Sequence, residues 1–426
     1  MPNNEEILAG ARALDARDQL ASFRSEFYLH ENVVYLDGNS LGLLSKPSED
    51  SLYSVIEQWK TLAIDGWQEG MYPWYDLSEK LGARVAELIG ASPQEVIVTG
   101  STTINLHQIL SSFYHPTDKR NVILADELTF PSDLYAISSH LSLHGQNPGT
   151  YMRLASSRSE HLLEEDDIVE AMADDVALIV LPSVLYRSGQ LLDIPRLTRA
   201  AHDRGILIAW DLCHSLGAVP HALSEWGVDF AFWCHYKYLN SGPGGVAGLY
   251  VNERHLGSSP GIAGWFSSDK STQFDMTPSL RHATDAGAFQ VGTPHVLSVA
   301  PLIGSLNLFE EARMERIREK SLQLTNYLMS LIDSELASYG FTVINPREAP
   351  RRGGHVALTH PEAVRIAKAL KAAKVIPDFR APNIIRLAPV ALYTSFEDVA
   401  IAVLRLKSVM ESKEYEKFAN QRDIIA

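Results

Sequence analysis

One stretch constrains this chain more than any other. Between Gly205 and Val251, apolar segments run into residues that a buried strand does not ordinarily carry. Ile206-Leu207-Ile208-Ala209-Trp210 ends in Asp211, and Phe230-Ala231-Phe232-Trp233 continues into Cys234-His235-Tyr236-Lys237. After the turn Ser241-Gly242-Pro243-Gly244-Gly245, residues 246–251 are again apolar. Short apolar runs bounded by turn residues predict buried strands of an α/β sheet. Asp211 and Lys237 then lie just past the carboxyl ends of two strands, where open α/β sheets place their ligands.

A lysine and a carboxylate in that arrangement suit pyridoxal phosphate. The cofactor needs an amine for its Schiff base and an acid beside its ring nitrogen, which keeps the ring an electron sink. One strand–connection–strand unit separates the two residues. Each alone has an ordinary explanation, because strands often end in Asp and most lysines are solvated. A lysine among Trp233, His235, Tyr236 and Tyr238, followed by a glycine-rich turn, is poorly explained as surface. Glycines also let backbone approach a ligand closely. Gly242-x-Gly244-x-x-Ala247 matches a dinucleotide fingerprint as a bare pattern. A strand follows it, where that motif requires a helix.

The rest of the chain alternates strand and helix, which predicts a mostly parallel sheet with helices on both faces. Strands are expected near 33–36, 95–98, 121–125, 150–154, 176–181 and 206–210, and helices over 5–27, 47–63, 76–89 and 104–113. Residues 95–113 read as strand, small-hydroxyl turn and helix start. Thr99-Gly100-Ser101-Thr102-Thr103 is therefore either an ordinary cap or a phosphate site built from backbone N–H groups and the helix dipole. Phe130-Pro131-Ser132-Asp133 opens a further helix. The aromatic loop Gly66-Trp67-Gln68-Glu69-Gly70-Met71-Tyr72-Pro73-Trp74 either caps a core edge or covers an aromatic ligand. Long helices over 299–336 precede a smaller α+β unit with strands near 341–344, 355–359 and 384–387 and helices near 362–372 and 396–410. Arg386 lies inside an apolar strand and needs a partner there. A structural salt bridge would supply one, and so would a substrate carboxylate held bidentately; the clamp is favoured. The expected division is an N-terminal arm at 1–45, a large cofactor-binding domain at 46–300 and a small domain at 301–426.

Composition excludes several partners. The formal net charge of −15 over 426 residues gives no basic footprint for nucleic acid or an anionic membrane. Residues 176–185, the longest apolar stretch, are too few to span a bilayer. Cys213 and Cys234 are the two cysteines and form no CxxC pair, so neither a disulfide framework nor a metal site is expected. The polar, acidic start is no signal peptide, and a cytoplasmic protein is expected.

Several motifs together resemble kynureninase. They are Tyr35-Leu36-Asp37-Gly38-Asn39-Ser40-Leu41-Gly42, Asp211-Leu212-Cys213-His214-Ser215-Leu216-Gly217, Trp233-Cys234-His235-Tyr236-Lys237-Tyr238-Leu239-Asn240, Gly264-Trp265-Phe266, and Asn383-Ile384-Ile385-Arg386-Leu387-Ala388-Pro389. They span nearly the whole chain in the family's order. The resemblance implies an aspartate-aminotransferase-like α/β fold with a seven-stranded sheet and a small C-terminal α+β domain. It also implies pyridoxal phosphate, a homodimer with shared active sites, and hydrolysis of L-kynurenine, or its 3-hydroxy form, in tryptophan catabolism. It makes Lys237 the Schiff-base lysine and Asp211 the partner of the ring nitrogen. Phe130 becomes the stacking ring, Asp133 the acid beside it, and His214 a cofactor-binding histidine. Thr102, Thr103 and Tyr236 become phosphate ligands, joined by Trp265 and Thr293 from the neighbouring subunit. Thr293 departs from the Asn of some members, and Trp67 stands where some carry His, in the loop that meets the substrate ring. Arg386, Trp67 and Asn39 fall to the substrate, and Tyr236 to proton relay. A desulfurase or aminotransferase of the same fold, or a non-catalytic ligand-binding relative, is the alternative. A desulfurase would need a reactive cysteine on a mobile loop, for which neither cysteine is well placed.

Overall fold

The computed structural model describes residues 3–421. Seven strands lie side by side in the order Val96–Val98, Gly248–Val251, Phe230–Trp233, Leu207–Asp211, Val176–Pro182, Val122–Asp126, Met152–Ala155. All neighbours run parallel except Gly248–Val251, which is antiparallel to both strands beside it. The central strands are almost wholly buried, as continuous apolar runs require when helices cover both faces. Register brings Pro182 beside Asp211 and Asp211 beside Phe232, so three strands reach their carboxyl ends together.

Helices start where the strands end. Thr102–Phe113 is capped by Ser101, whose side chain accepts from the Ile104 N–H. Pro131–Leu143 begins with Pro at its first turn, where a missing N–H costs nothing. The first turns of both helices, at Thr102 and Thr103 and at Ser132 and Asp133, lie around the same space as Asp211 and Lys237.

The C-terminal part holds a four-stranded antiparallel sheet in the order Asp378–Arg380, Ile384–Leu387, Val356–Thr359, Thr342–Val343. The helices Met314–Glu335, Ala363–Ala372 and Phe396–Glu411 pack around it. The start of the chain joins this core. Ile7 and Ala11 of helix Asn4–Asp15 are buried in it, and Val34–Tyr35 pairs in parallel with Val375–Ile376.

Some expected elements differ. The helix expected over 5–27 stops at Asp15, and a 3-10 turn covers Ala21–Glu26. Asp18 breaks it by accepting from the Leu20 N–H at 2.8 Å while pairing with the buried Lys320 at 2.6 Å. A tertiary ion pair thereby outweighs local helical periodicity. The strand expected from residue 150 begins as a short helix, Pro148–Tyr151, because Asn147 and Pro148 supply start signals. The short strands Val375–Ile376 and Asp378–Arg380 carried no recognisable pattern in the sequence.

Helices Lys46–Leu62 and Val296–Ala312 pack closely because Gly304 has no side chain; a Cβ there would overlap the Pro47 carbonyl. Gly304→Ala is expected to destabilise the protein by about 2 kcal/mol through overpacking, read as a lower urea midpoint. An unchanged midpoint would show that the helix pair yields at little cost.

Candidate active site

One cavity of about 100 Å³ opens at the carboxyl ends of the parallel strands. Lys237, Asp211, His214, Tyr236, Thr102, Thr103, Phe130 and Asp133 all line it. Residues distant in sequence meet there because each follows a strand of the same sheet.

Its electrostatics are set by burial. Asp211 ends its strand, and Oδ1 accepts from the Cys213 N–H at 2.7 Å. Burial raises its pKa above the ordinary carboxylate range, against the opposing pull of Lys237. Asp133 is raised further, by burial and then by Asp211, and its Oδ2 has no hydrogen-bond partner. Burial opposes a charge on Lys237, but Cys234, Cys213, Tyr236 and Asp211 outweigh it and raise the lysine pKa. The ammonium donates to His214 Nε2 at 3.1 Å. Burial, then the nearby Lys237, holds His214 neutral, and its Nδ1 is unpaired. Burial likewise keeps the Tyr236 phenol protonated.

These residues fit pyridoxal phosphate. The amine and the strand-end carboxylate share one cavity, and two buried polar atoms, Asp133 Oδ2 and His214 Nδ1, have no partner among the described residues. At the start of helix Thr102–Phe113, the N–H groups of Thr102 and Thr103 have no acceptor among the described residues. A helix N-terminus with free N–H groups suits a phosphate. Thr103 Oγ1 also meets Ser132 Oγ at 2.9 Å, which puts a second hydroxyl at that end. Phe130 keeps its ring exposed and edge-on to Tyr186, with centroids 5.2 Å apart.

Arg386 lies one layer behind the cavity and is almost fully buried. Nε pairs with Asp378, its register partner on the adjacent strand. Nη1 donates to the Tyr186 carbonyl at 2.6 Å, and Nη2 reaches Ser40 Oγ at 3.4 Å. The structural salt bridge and a guanidinium edge directed toward the cavity-lining Tyr186 therefore coexist. Asn39, beside Ser40, is fully buried with neither side-chain polar atom paired.

Besides Arg386 and Asn39, three expected site residues do not line this cavity. Trp67 and Thr293 line a separate apolar groove with Trp59 and Pro294. Trp67 packs edge-on against Trp74, with centroids 5.7 Å apart. Trp265 is 47% exposed and packs against Phe266 and Phe274.

Other residues at the cavity were not singled out from the sequence: Ser132, Tyr186, Val184 and Cys213. Ser132 and Cys213 sit inside motifs that were read for their neighbours. Tyr186 and Val184 follow strand Val176–Pro182, so the rule that ligands gather beyond strand ends could have found them. Asp378 lacked such a signal, since its strand was not expected.

The chain is similar throughout to curated kynureninases. It is 61% identical over 422 residues to the kynureninase of Geobacillus thermodenitrificans, covering 99% of each chain. It is 59% identical to a kynureninase of Bacillus cereus, covering 97% of this chain and 96% of the other. The Shouchella clausii kynureninase is also 59% identical, with 98% and 97% covered. A family model described as the kynureninase C-terminal domain matches residues 317–406. Among solved structures, the apo cysteine desulfurase of Thermococcus onnurineus NA1 superposes with a TM-score of 0.78 at 18% identity, covering 92% of this chain and 98% of the other. A mutant of C-DES with glycine covalently linked to its PLP cofactor gives 0.79 at 18%, with 90% and 98% covered. The expected aspartate-aminotransferase-like α/β fold is therefore present. With near-complete coverage at about 60% identity to several curated members, this chain belongs to the kynureninase family.

Proposed function

We propose that this chain hydrolyses the Cβ–Cγ bond of L-kynurenine, or its 3-hydroxy form, to anthranilate, or its 3-hydroxy form, and L-alanine, with pyridoxal phosphate as cofactor. One observation carries the reading: Lys237, Asp211 and the unpaired helix start at Thr102 and Thr103 share one cavity. When bound, pyridoxal phosphate supplies the electron sink that stabilises charge at the substrate Cα. Lys237 Nζ takes and returns the Cα proton. Asp211 keeps the cofactor's ring nitrogen protonated, Asp133 and His214 position the ring, and Phe130 stacks on it. Thr102, Thr103 and Tyr236 hold the phosphate. The Arg386 guanidinium, with Asn39 behind it, holds the substrate carboxylate. The Tyr236 phenol, kept protonated by burial, delivers a proton to the released fragment.

The cofactor-binding part is assigned to 46–300, with 1–45 as an arm and 301–426 as the small domain. The active form is assigned as a cytoplasmic homodimer in which Trp265 and Thr293 reach the neighbour's phosphate. Exposed apolar groups support this: Trp59, Trp265, Phe274 and Leu297 are each at least 45% exposed. No described helix is long and apolar enough to cross a membrane.

Borohydride reduction of the holoenzyme should fix a pyridoxyl group on Lys237, and Lys237→Ala should bind the cofactor without that link and lose kynurenine hydrolysis. A label on another lysine would overturn the assignment. Arg386→Lys keeps the charge but loses the planar fork, so kcat/KM should fall roughly tenfold or more, about 1.4 kcal/mol. An unchanged kcat/KM would leave Arg386 only its salt bridge to Asp378. Shared sites can be tested by mixing Lys237→Ala with a nearly inactive Trp265 variant under verified subunit exchange. Half the dimers become hybrids with one intact site, so about a quarter of wild-type activity should return. No recovery would place these loops in their own chain's site.

A further inference from the structure

A second cavity, of about 500 Å³, lies away from Lys237. It forms where the turn after Val219 and the start of helix Ile194–His202 meet Pro350 and Arg351 of the C-terminal part. Its floor is apolar, with Leu192, Ile194 and Val219 buried, and Trp226 forms a half-buried wall. His221 also lines it, 8% exposed, with neither ring nitrogen hydrogen-bonded. Its ring lies edge-on to Trp226, with centroids 6.1 Å apart. Both ring nitrogens are themselves closed off from solvent, so the imidazole serves the cleft as part of its wall.

The charged rim narrows the choice of ligand. Arg196 is held by Glu165 at 2.9 Å and by Asp166. Asp193 caps the helix through the Arg196 N–H at 2.9 Å. Arg196 is thus shared by two carboxylates, and Asp193 spends an oxygen on a backbone N–H. Glu164 and Arg351 remain, and neither side chain has a hydrogen bond or ion pair among the described residues. One free anion and one free cation beside an aromatic, apolar floor match a zwitterion with a flat ring.

We infer that this cleft is a binding site for an aromatic α-amino acid. Arg351 takes its carboxylate, Glu164 its ammonium, and Trp226 its ring. The site does not depend on the role given to Lys237. The hairpin 183–192 lines both cavities, through Val184 on one side and Leu191 and Leu192 on the other. An occupant of the cleft therefore touches the segment that carries Val184 to the first cavity.

Titration calorimetry of the purified enzyme with L-tryptophan tests the inference. Wild type should bind one equivalent per chain in the cleft with Kd below about 1 mM. L-alanine, which lacks the ring, and indole, which lacks the zwitterion, should each bind at least about tenfold more weakly. Arg351→Ala and Glu164→Gln should each weaken binding of L-tryptophan by about tenfold or more and leave kynurenine hydrolysis unchanged. The site is overturned if wild type binds nothing at that concentration, or if both variants bind L-tryptophan as tightly as wild type. Indole binding as tightly as L-tryptophan would overturn the amino-acid assignment.

Discussion

A partly buried lysine beside buried carboxylates is the interaction on which this structure turns. Removing an ammonium and two carboxylates from water costs several kcal/mol per ion unless they compensate one another. Lys237 does so for Asp211 and Asp133, lowering the pKa that burial raises in each. The balance exists because sheet register sets Asp211 beside the strand that leads to Lys237, while Asp133 comes from the first turn of helix Pro131–Leu143. A slip of one residue would turn Asp211 to the opposite face and leave the lysine without its strand-end partner.

Other parts of the chain close on this centre through backbone. The Gly42 N–H donates to the Tyr236 carbonyl at 2.8 Å, seating the N-terminal arm on the lysine segment. A side chain at Gly42 would collide with the Lys237 carbonyl and with Asn240, so only glycine permits the approach. The Arg386 side chain adds a second link, tying Asp378 of the small sheet to Ser40 of the arm and to Tyr186 at the cavity. A guanidinium with five donors can serve such a junction and still present an edge to a carboxylate, which a lysine ammonium could not do in the same plane.

A surface groove outside the cavity is lined by apolar side chains. Trp59 and Leu297 line a groove with Trp67 and Thr293, while Tyr53 and Ile56 are exposed on the helix that carries Trp59. Apolar surface of this kind marks contact with another surface.

By itself, the sequence determined the elements whose signal is local. The apolar runs ending in Asp211 and Lys237, the small-hydroxyl turn before helix Thr102–Phe113 and the Pro131 helix start are all legible, and so is the ligand position they imply at the strand ends. Periodicity and capping act over a few residues, so they survive in one dimension. Tertiary structure decided the rest. It ended the first helix at Asp15 through the pairing of Asp18 with Lys320, made strand Asp378–Arg380 through its ladder with Ile384–Leu387, and brought Tyr186 and Val184 to the cavity. It also gave Arg386 an ion pair and an edge toward Tyr186 at once, where the sequence posed a choice between salt bridge and clamp. Each of these depends on a partner far away in the chain, and the free energy of such a contact leaves no pattern among neighbouring residues.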